Sequence, residues 1–182
     1  GGLPRLVPVD SRSRYQLMPE VAEEAWTPRT RIAMVASPSN PTGTLVEPGE
    51  VAALASLARE KGATLLVDEI YHGLTYGRDA PSALAAGEDV FVINSFSKYF
   101  QMTGWRLGWL VVPPDLAAPL ERLAGNLFIC ASSVAQQAAL ACFEPDTLAE
   151  YERRRAEFQR RRDVVAPGLD ALGLTVPVRP DG

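Results

Sequence analysis

The sequence predicts an α/β fold built on a mostly parallel sheet, with helices on both faces and one antiparallel strand. Three observations carry that reading. The runs Ile32-Ala33-Met34-Val35-Ala36, Thr64-Leu65-Leu66-Val67 and Val90-Phe91-Val92-Ile93 are continuously apolar, as strands buried on both faces are. An amphipathic helical stretch over 47–61 separates the first two, and strands that alternate with crossover helices pair in parallel. The strand-like run 107–112 follows the third strand after only a loop, too short for a parallel crossover, so it should run antiparallel.

In chain order, Leu6-Val7-Pro8-Val9 is a short strand candidate whose proline suits an edge or a strand start. Residues 10–14 are polar loop. Residues 19–26 read as a short helix opened by Pro19, where a missing N–H is harmless, and Thr27-Pro28-Arg29-Thr30 ends it. Within 47–61, Val51, Leu54, Leu57 and Ala58 share one face, and Gly62 follows as the expected C-terminal glycine. Residues 77–88, with Asp79, Pro81 and Gly87, are the most loop-like internal stretch. Pro113-Pro114 breaks the fourth strand. Helices are then expected over 115–124 and 132–143, with a long third one beginning at Pro145. Along it Leu148, Tyr151, Phe158 and Val165 fall on one side. Its arginine triplets at 153–155 and 160–162 are interleaved with Glu150, Glu152, Glu157 and Asp163, the pattern of a solvated helix face rather than a nucleic-acid surface. Leu174-Thr175-Val176 is a candidate start for a further strand.

With 182 residues, 47% hydrophobic and 22% charged, the chain can build one domain with a real core. A net charge of −4 argues against a nucleic-acid partner, because phosphate binding calls for a positive field. No apolar run approaches a membrane span, and no secretory signal is visible. Cys130 and Cys142 lack a metal or redox spacing and read as reduced core residues of a cytoplasmic protein.

The candidate chemistry gathers at strand ends. Parallel sheets bind ligands at the carboxyl ends of their strands. Asn40 follows the first strand, Asp68 the second, and Ser95 to Lys98 the third. Burial makes the charged form of a lysine costly, the condition under which its amine attacks a carbonyl to form a Schiff base. Ser95, Ser97 and Arg106 lie nearby in sequence, and two hydroxyls with a guanidinium can hold a phosphate through charge-assisted hydrogen bonds. A Schiff-base lysine beside a phosphate cradle suggests pyridoxal phosphate.

Four stretches sharpen this: Asn40-Pro41-Thr42-Gly43, Asp68-Glu69-Ile70-Tyr71, Ser95-Phe96-Ser97-Lys98 and Gly104-Trp105-Arg106-Leu107-Gly108. In this order and spacing the chain resembles, over about residues 5–182, the class I/II aminotransferases of the fold-type I pyridoxal-phosphate enzymes. The resemblance implies that Lys98 is the internal-aldimine lysine and then the base between substrate Cα and cofactor C4′. Asp68 would keep the ring nitrogen protonated, and Asn40 and Tyr71 would hydrogen-bond the ring's phenolic oxygen. Ser95, Ser97 and Arg106 would contact the phosphate, with Pro41 and Gly43 shaping their loop. His72 is read as structural or rim, and Trp105 and Trp109 as packing. Gln101 stands where many relatives have glycine.

The resemblance also implies a division of the chain: 1–145 as part of the large cofactor-binding domain, 146–172 as a long inter-domain helix, and 173–182 as the start of a small C-terminal domain. Both ends would lie inside a longer, cytoplasmic, homodimeric enzyme. The Gly/Ser-rich phosphate loop and the ring-stacking aromatic would lie upstream, and the arginine gripping the substrate carboxylate downstream. The implied reaction moves an amino group between an amino acid and a 2-oxo acid. Two alternatives share the scaffold: a pyridoxal-phosphate-dependent C–S β-lyase or related elimination enzyme, and a non-catalytic aminotransferase-like regulator domain.

Overall fold

A computed structural model of the chain describes residues 2–182. Four strands form one sheet in the order β1 (Ile32–Ala36), β2 (Thr64–Asp68), β3 (Phe91–Ser95) and β4 (Gly108–Val111). The β1–β2 and β2–β3 pairs are parallel, and β4 is antiparallel to β3. The mostly parallel sheet with one antiparallel strand is therefore as the sequence predicts, with helices around it.

The main core forms where one sheet face meets α1 (Pro19–Ala25) and α2 (Pro48–Glu60). Ala33, Val35, Leu65, Val67 and Val92 point to this face, and Ala22, Val51, Leu54, Leu57 and Ala58 meet them from the helices. Leu54 is fully buried. The start of α2 is built for its place. Glu47 and Glu50 form a capping box, and Arg14 bridges both carboxylates.

A second apolar cluster lies beyond β3. Here α4 (Ser133–Leu140), the turn that follows it and α5 (Pro145–Ala171) pack Ala135, Ala139, Cys142 and Tyr151 against Phe96, Phe100, Met102 and Leu107. The rings of Phe100 and Tyr151 meet edge to face at 5.9 Å. This cluster holds the loop after β3 from behind. Along α5 the arginines pair within the helix, Arg153 and Arg154 with Glu150 and Arg160 and Arg161 with Glu157, as a solvated face does. No helix among the described residues is long and apolar enough to cross a membrane.

Several local expectations are corrected. Residues 6–9 form no strand: Leu6 is exposed and the segment is unpaired, Pro8 having no N–H to give a ladder. Burial on both faces does not hold for β1, since Ile32 and Met34 are exposed. It is an edge strand whose helices all pack on its other face. Residues 174–176 are irregular rather than a strand, and the chain instead returns to the loop after β1, where Asp181 and Gly182 donate to the Gly43 carbonyl. The helix expected over 115–124 extends as α3 (Pro114–Phe128), and that over 132–143 ends as a 3-10 turn, Ala141–Phe143. Of the cysteines only Cys142 is a core residue. Cys130 is exposed, because it lies in the α3–α4 connection rather than on a packed face.

Leu54 tests the core directly. Leu54→Ala should cost about 2–5 kcal/mol of stability, and Leu54→Met less than about 1.5 kcal/mol, because only the former leaves a cavity. Urea unfolding of the two variants measures both.

Candidate functional site

The carboxyl ends of β1, β2 and β3 lie side by side, because the register sets Ala36 opposite Asp68 and Asp68 opposite Ile93. β4 begins at the same edge, with Gly108 opposite Ser95. Each strand hands its chain to a loop there.

The loop after β1 turns back through Ser39 N–H to Thr44 carbonyl (3.0 Å) and Gly43 N–H to Ser39 carbonyl (2.7 Å). Gly43 has φ +65°, and a Cβ there would lie 2.4 Å from the Gly182 carbonyl oxygen, so glycine is required both for conformation and for space. On this loop Asn40 Nδ2 donates to Tyr71 Oη at 3.2 Å. Tyr71 comes from the turn after β2, where Asp68 Oδ1 accepts from Ile70 N–H at 3.0 Å. From the third loop, Lys98 Nζ sits 5.2 Å from the centre of the Tyr71 ring, a cation–π distance. Asn40, Tyr71 and Lys98 thus meet from three strands.

Ser95 and Ser97 are joined to one another. Ser95 Oγ lies 2.9 Å from Ser97 Oγ and 3.1 Å from the Leu107 carbonyl, and it accepts from Ser97 N–H at 3.0 Å. Ser97 is buried and Ser95 half-buried. Arg106 stands apart, exposed, with φ 53° and its Nη1 donating to the Thr103 carbonyl. Among the described residues no direct bond joins Arg106 to Lys98, or Lys98 to Asp68, and no carboxylate pairs with Lys98 or Arg106. Asp68 Oδ2 likewise has no protein donor among them. By type, two cations without carboxylate partners, a pair of hydroxyls and a half-satisfied carboxylate are the groups that a phosphate-bearing ring with a protonated nitrogen calls for, although among the described residues no direct bond gathers the cations and the carboxylate.

The Lys98 loop is held by bonds that sequence reasoning did not reach. Gln101 N–H donates to the Lys98 carbonyl at 3.0 Å, and Thr103 Oγ1 to the Ser97 carbonyl at 2.5 Å. Gln101 has φ 57°, the left-handed region where glycine is least strained, and Arg154 of α5 bonds its side chain there. Tyr99 Oη donates to Glu152 at 2.7 Å, and burial together with that bond pushes the phenol up to about 12. Trp109 packs edge-on to Phe96 at 5.2 Å, but Trp105 is exposed and does not pack as expected.

A cavity of about 270 Å³ opens beside Asn40 and Tyr71, lined also by Leu74, Tyr76 and Phe158. Its wall is completed from far along the chain: Tyr76 N–H donates to the Asp181 carbonyl at 2.7 Å, and Asp181 and Gly182 N–H donate to the Gly43 carbonyl at 2.8 and 2.9 Å. Nothing local in the sequence signals that strap. His72 turns away to the α2 side, where Nδ1 lies 3.4 Å from Glu69 Oε2.

Three parallel strands converging on one edge define an α/β ligand-binding domain. The chain belongs to the aminotransferase class I and II family, whose profile matches residues 1–181. It is 39% identical to a valine–pyruvate aminotransferase of Mycobacterium tuberculosis, covering 97% of this chain and 46% of that protein. It is 35% identical to an aspartate aminotransferase of Streptomyces avermitilis, covering 100% of this chain and 46% of that one. The solved structure of an aspartate aminotransferase mutant from Thermus thermophilus superposes with TM-score 0.90 at 33% identity, over 97% of this chain and 49% of that one. The chain therefore spans about half the length of these relatives.

His72 gives the fold a pH signature. Burial lowers its pKa below the ordinary 6.5, with the Glu69 charge opposing. The unfolded chain then takes up the proton first as pH falls, so this stability is present above about 6.5 and is lost below it. His72→Gln should flatten the fall in melting temperature between about pH 7 and pH 5.

Proposed function

We propose that the chain is the cofactor-binding part of a pyridoxal-phosphate-dependent aminotransferase, moving an amino group between an amino acid and a 2-oxo acid. The observation that carries the reading is the convergence of Asn40, Tyr71 and Lys98 from three strand ends. Family membership and the aminotransferase names of the relatives support it, and they favour it over an elimination enzyme or a regulator domain.

When bound, pyridoxal phosphate supplies a ring that absorbs electrons from the substrate Cα. Lys98 Nζ would hold that group covalently, and its amine would serve as the base that moves the proton at the substrate Cα. Tyr71 Oη and Asn40 Nδ2, already bonded to one another, would orient the ring through its phenolic oxygen. Asp68 would hold a proton on the ring nitrogen by opposite charge. Ser95 and Arg106 would hold the phosphate. Ser97 has the weaker claim, its hydroxyl being buried against Ser95.

The same reading makes residues 1–145 part of the large domain, 146–172 the inter-domain helix and 173–182 the start of the small domain. It also makes the full-length protein a cytoplasmic homodimer. Amino-acid and 2-oxo-acid recognition then depends on parts of that protein beyond this chain.

Two substitutions test it in the full-length protein. After incubation with pyridoxal phosphate and borohydride, mass spectrometry should find a pyridoxyl group on the Lys98 peptide and none in Lys98→Ala. A stable adduct in the alanine variant would sink the assignment. Asp68→Asn should retain cofactor while losing about 3–5 kcal/mol in kcat/KM, with glutamate formed from 2-oxoglutarate as the assay. Ammonia and pyruvate as the products would instead favour the elimination reaction.

A further inference from the structure

We infer that Glu69 is a positioning residue for the Asp68–Tyr71 turn, holding it from the side of β2 opposite the site. The inference rests on the reading of Asp68 and Tyr71 as cofactor contacts. Successive side chains of a strand point to opposite faces, so Asp68 and Glu69 diverge at the end of β2. Asp68 lies on the half-open side, while Glu69 follows Val67 toward α2 and is 3% exposed.

The bonds made by Glu69 reach three separate pieces of chain. Its N–H donates to the Ile93 carbonyl of β3 at 2.8 Å, and its own carbonyl accepts from His72 N–H at 2.8 Å. Its carboxylate accepts from Ala83 N–H at 2.6 Å and from Ser82 Oγ at 3.1 and 3.0 Å, and faces His72 Nδ1 at 3.4 Å. Asp68 and Tyr71 flank Glu69-Ile70, and of these Glu69 has its main chain tied to the sheet and its side chain tied to the 82–83 turn. A backbone shift of either toward or away from the site would strain those bonds.

A buried carboxylate is a costly way to fill space, and an apolar side chain would pack beside Val51 and Val67 with no desolvation cost. What the carboxylate adds is direction. Charge-assisted bonds to a backbone N–H and a hydroxyl fix its orientation more tightly than apolar contact does. Misplacement by about 1 Å can cost a hundredfold in rate, so a rigid anchor behind the two contact residues has a functional consequence. The cavity of about 120 Å³ that Glu69, His72 and Ser82 line lies on this buried side, and that room is what the turn would relax into once the anchor is lost.

The test compares wild type, Glu69→Gln, Glu69→Ala and Ser82→Ala in the full-length protein. Three readouts are taken: pyridoxal phosphate dissociation constant, the pH midpoint of the bound cofactor's absorbance, and melting temperature. Glu69→Ala should weaken cofactor binding about tenfold and move the absorbance midpoint. Glu69→Gln, which keeps an acceptor for Ala83 N–H, should recover most of both. A lower melting temperature with unchanged binding and midpoint would make Glu69 structural only and overturn the inference. If Glu69→Ala fails to fold, Ser82→Ala decides: weaker cofactor binding with a midpoint moved from the wild-type value supports the role, and no change in either overturns it. Wild type giving no cofactor absorbance at all would refute the cofactor reading itself, which is a different outcome from a normal wild-type signal that Glu69 variants leave unchanged.

Discussion

The parallel pairing of β1, β2 and β3 is the constraint on which the site depends. Their register aligns Ala36, Asp68 and Ile93, so three chain segments distant in sequence end at the same level. Parallel pairing needs a crossover, and α2 supplies the one between β1 and β2 while burying Leu54 against Leu65 and Val67. Hydrophobic burial on one face thereby fixes where the polar chemistry emerges at the edge. Shift the register by one residue, and Asp68 would exchange faces with its neighbours.

Strand ends bring the loops near one another, but hydrogen bonds decide their shape. The Asn40 loop is strapped by Asp181 and Gly182, the Lys98 loop by Thr103 and the α5 side chains of Glu152 and Arg154, and the Tyr71 turn by Glu69. α5 reaches further, its Arg155 donating to the Thr75 carbonyl at 2.9 Å and its Arg162 to that of Pro180 at 2.9 Å. One long helix therefore braces two of the three loops. Its outward Arg–Glu pairs are solvent-exposed and add little stability, so the inward contacts of α5 carry its structural role.

The distribution of charge follows the same division. Away from the edge, Arg14, Arg59 and Arg78 each meet a carboxylate. At the edge Lys98 and Arg106 are left for other partners, and Lys98 faces the Tyr71 ring instead. Cations without a carboxylate to neutralise them favour an anionic ligand group.

By itself the sequence determined the sheet, its one antiparallel strand, α2, and which residues stand at the strand ends. Those properties are local: apolar runs, helical periodicity and connection length are all written in neighbouring residues. The four motifs added the family. Other features could not be read locally. The unpaired 6–9 segment, the exposed face of β1 and the irregular 174–176 stretch depend on which neighbours exist in space, not on the apolar character of the run itself. The strap from Asp181 to Gly43, the left-handed Gln101 braced by Arg154 and the buried anchor of Glu69 join residues far apart in the chain. Tertiary structure alone decided them, because a hydrogen bond forms wherever folding brings donor and acceptor together, whatever the number of residues between them.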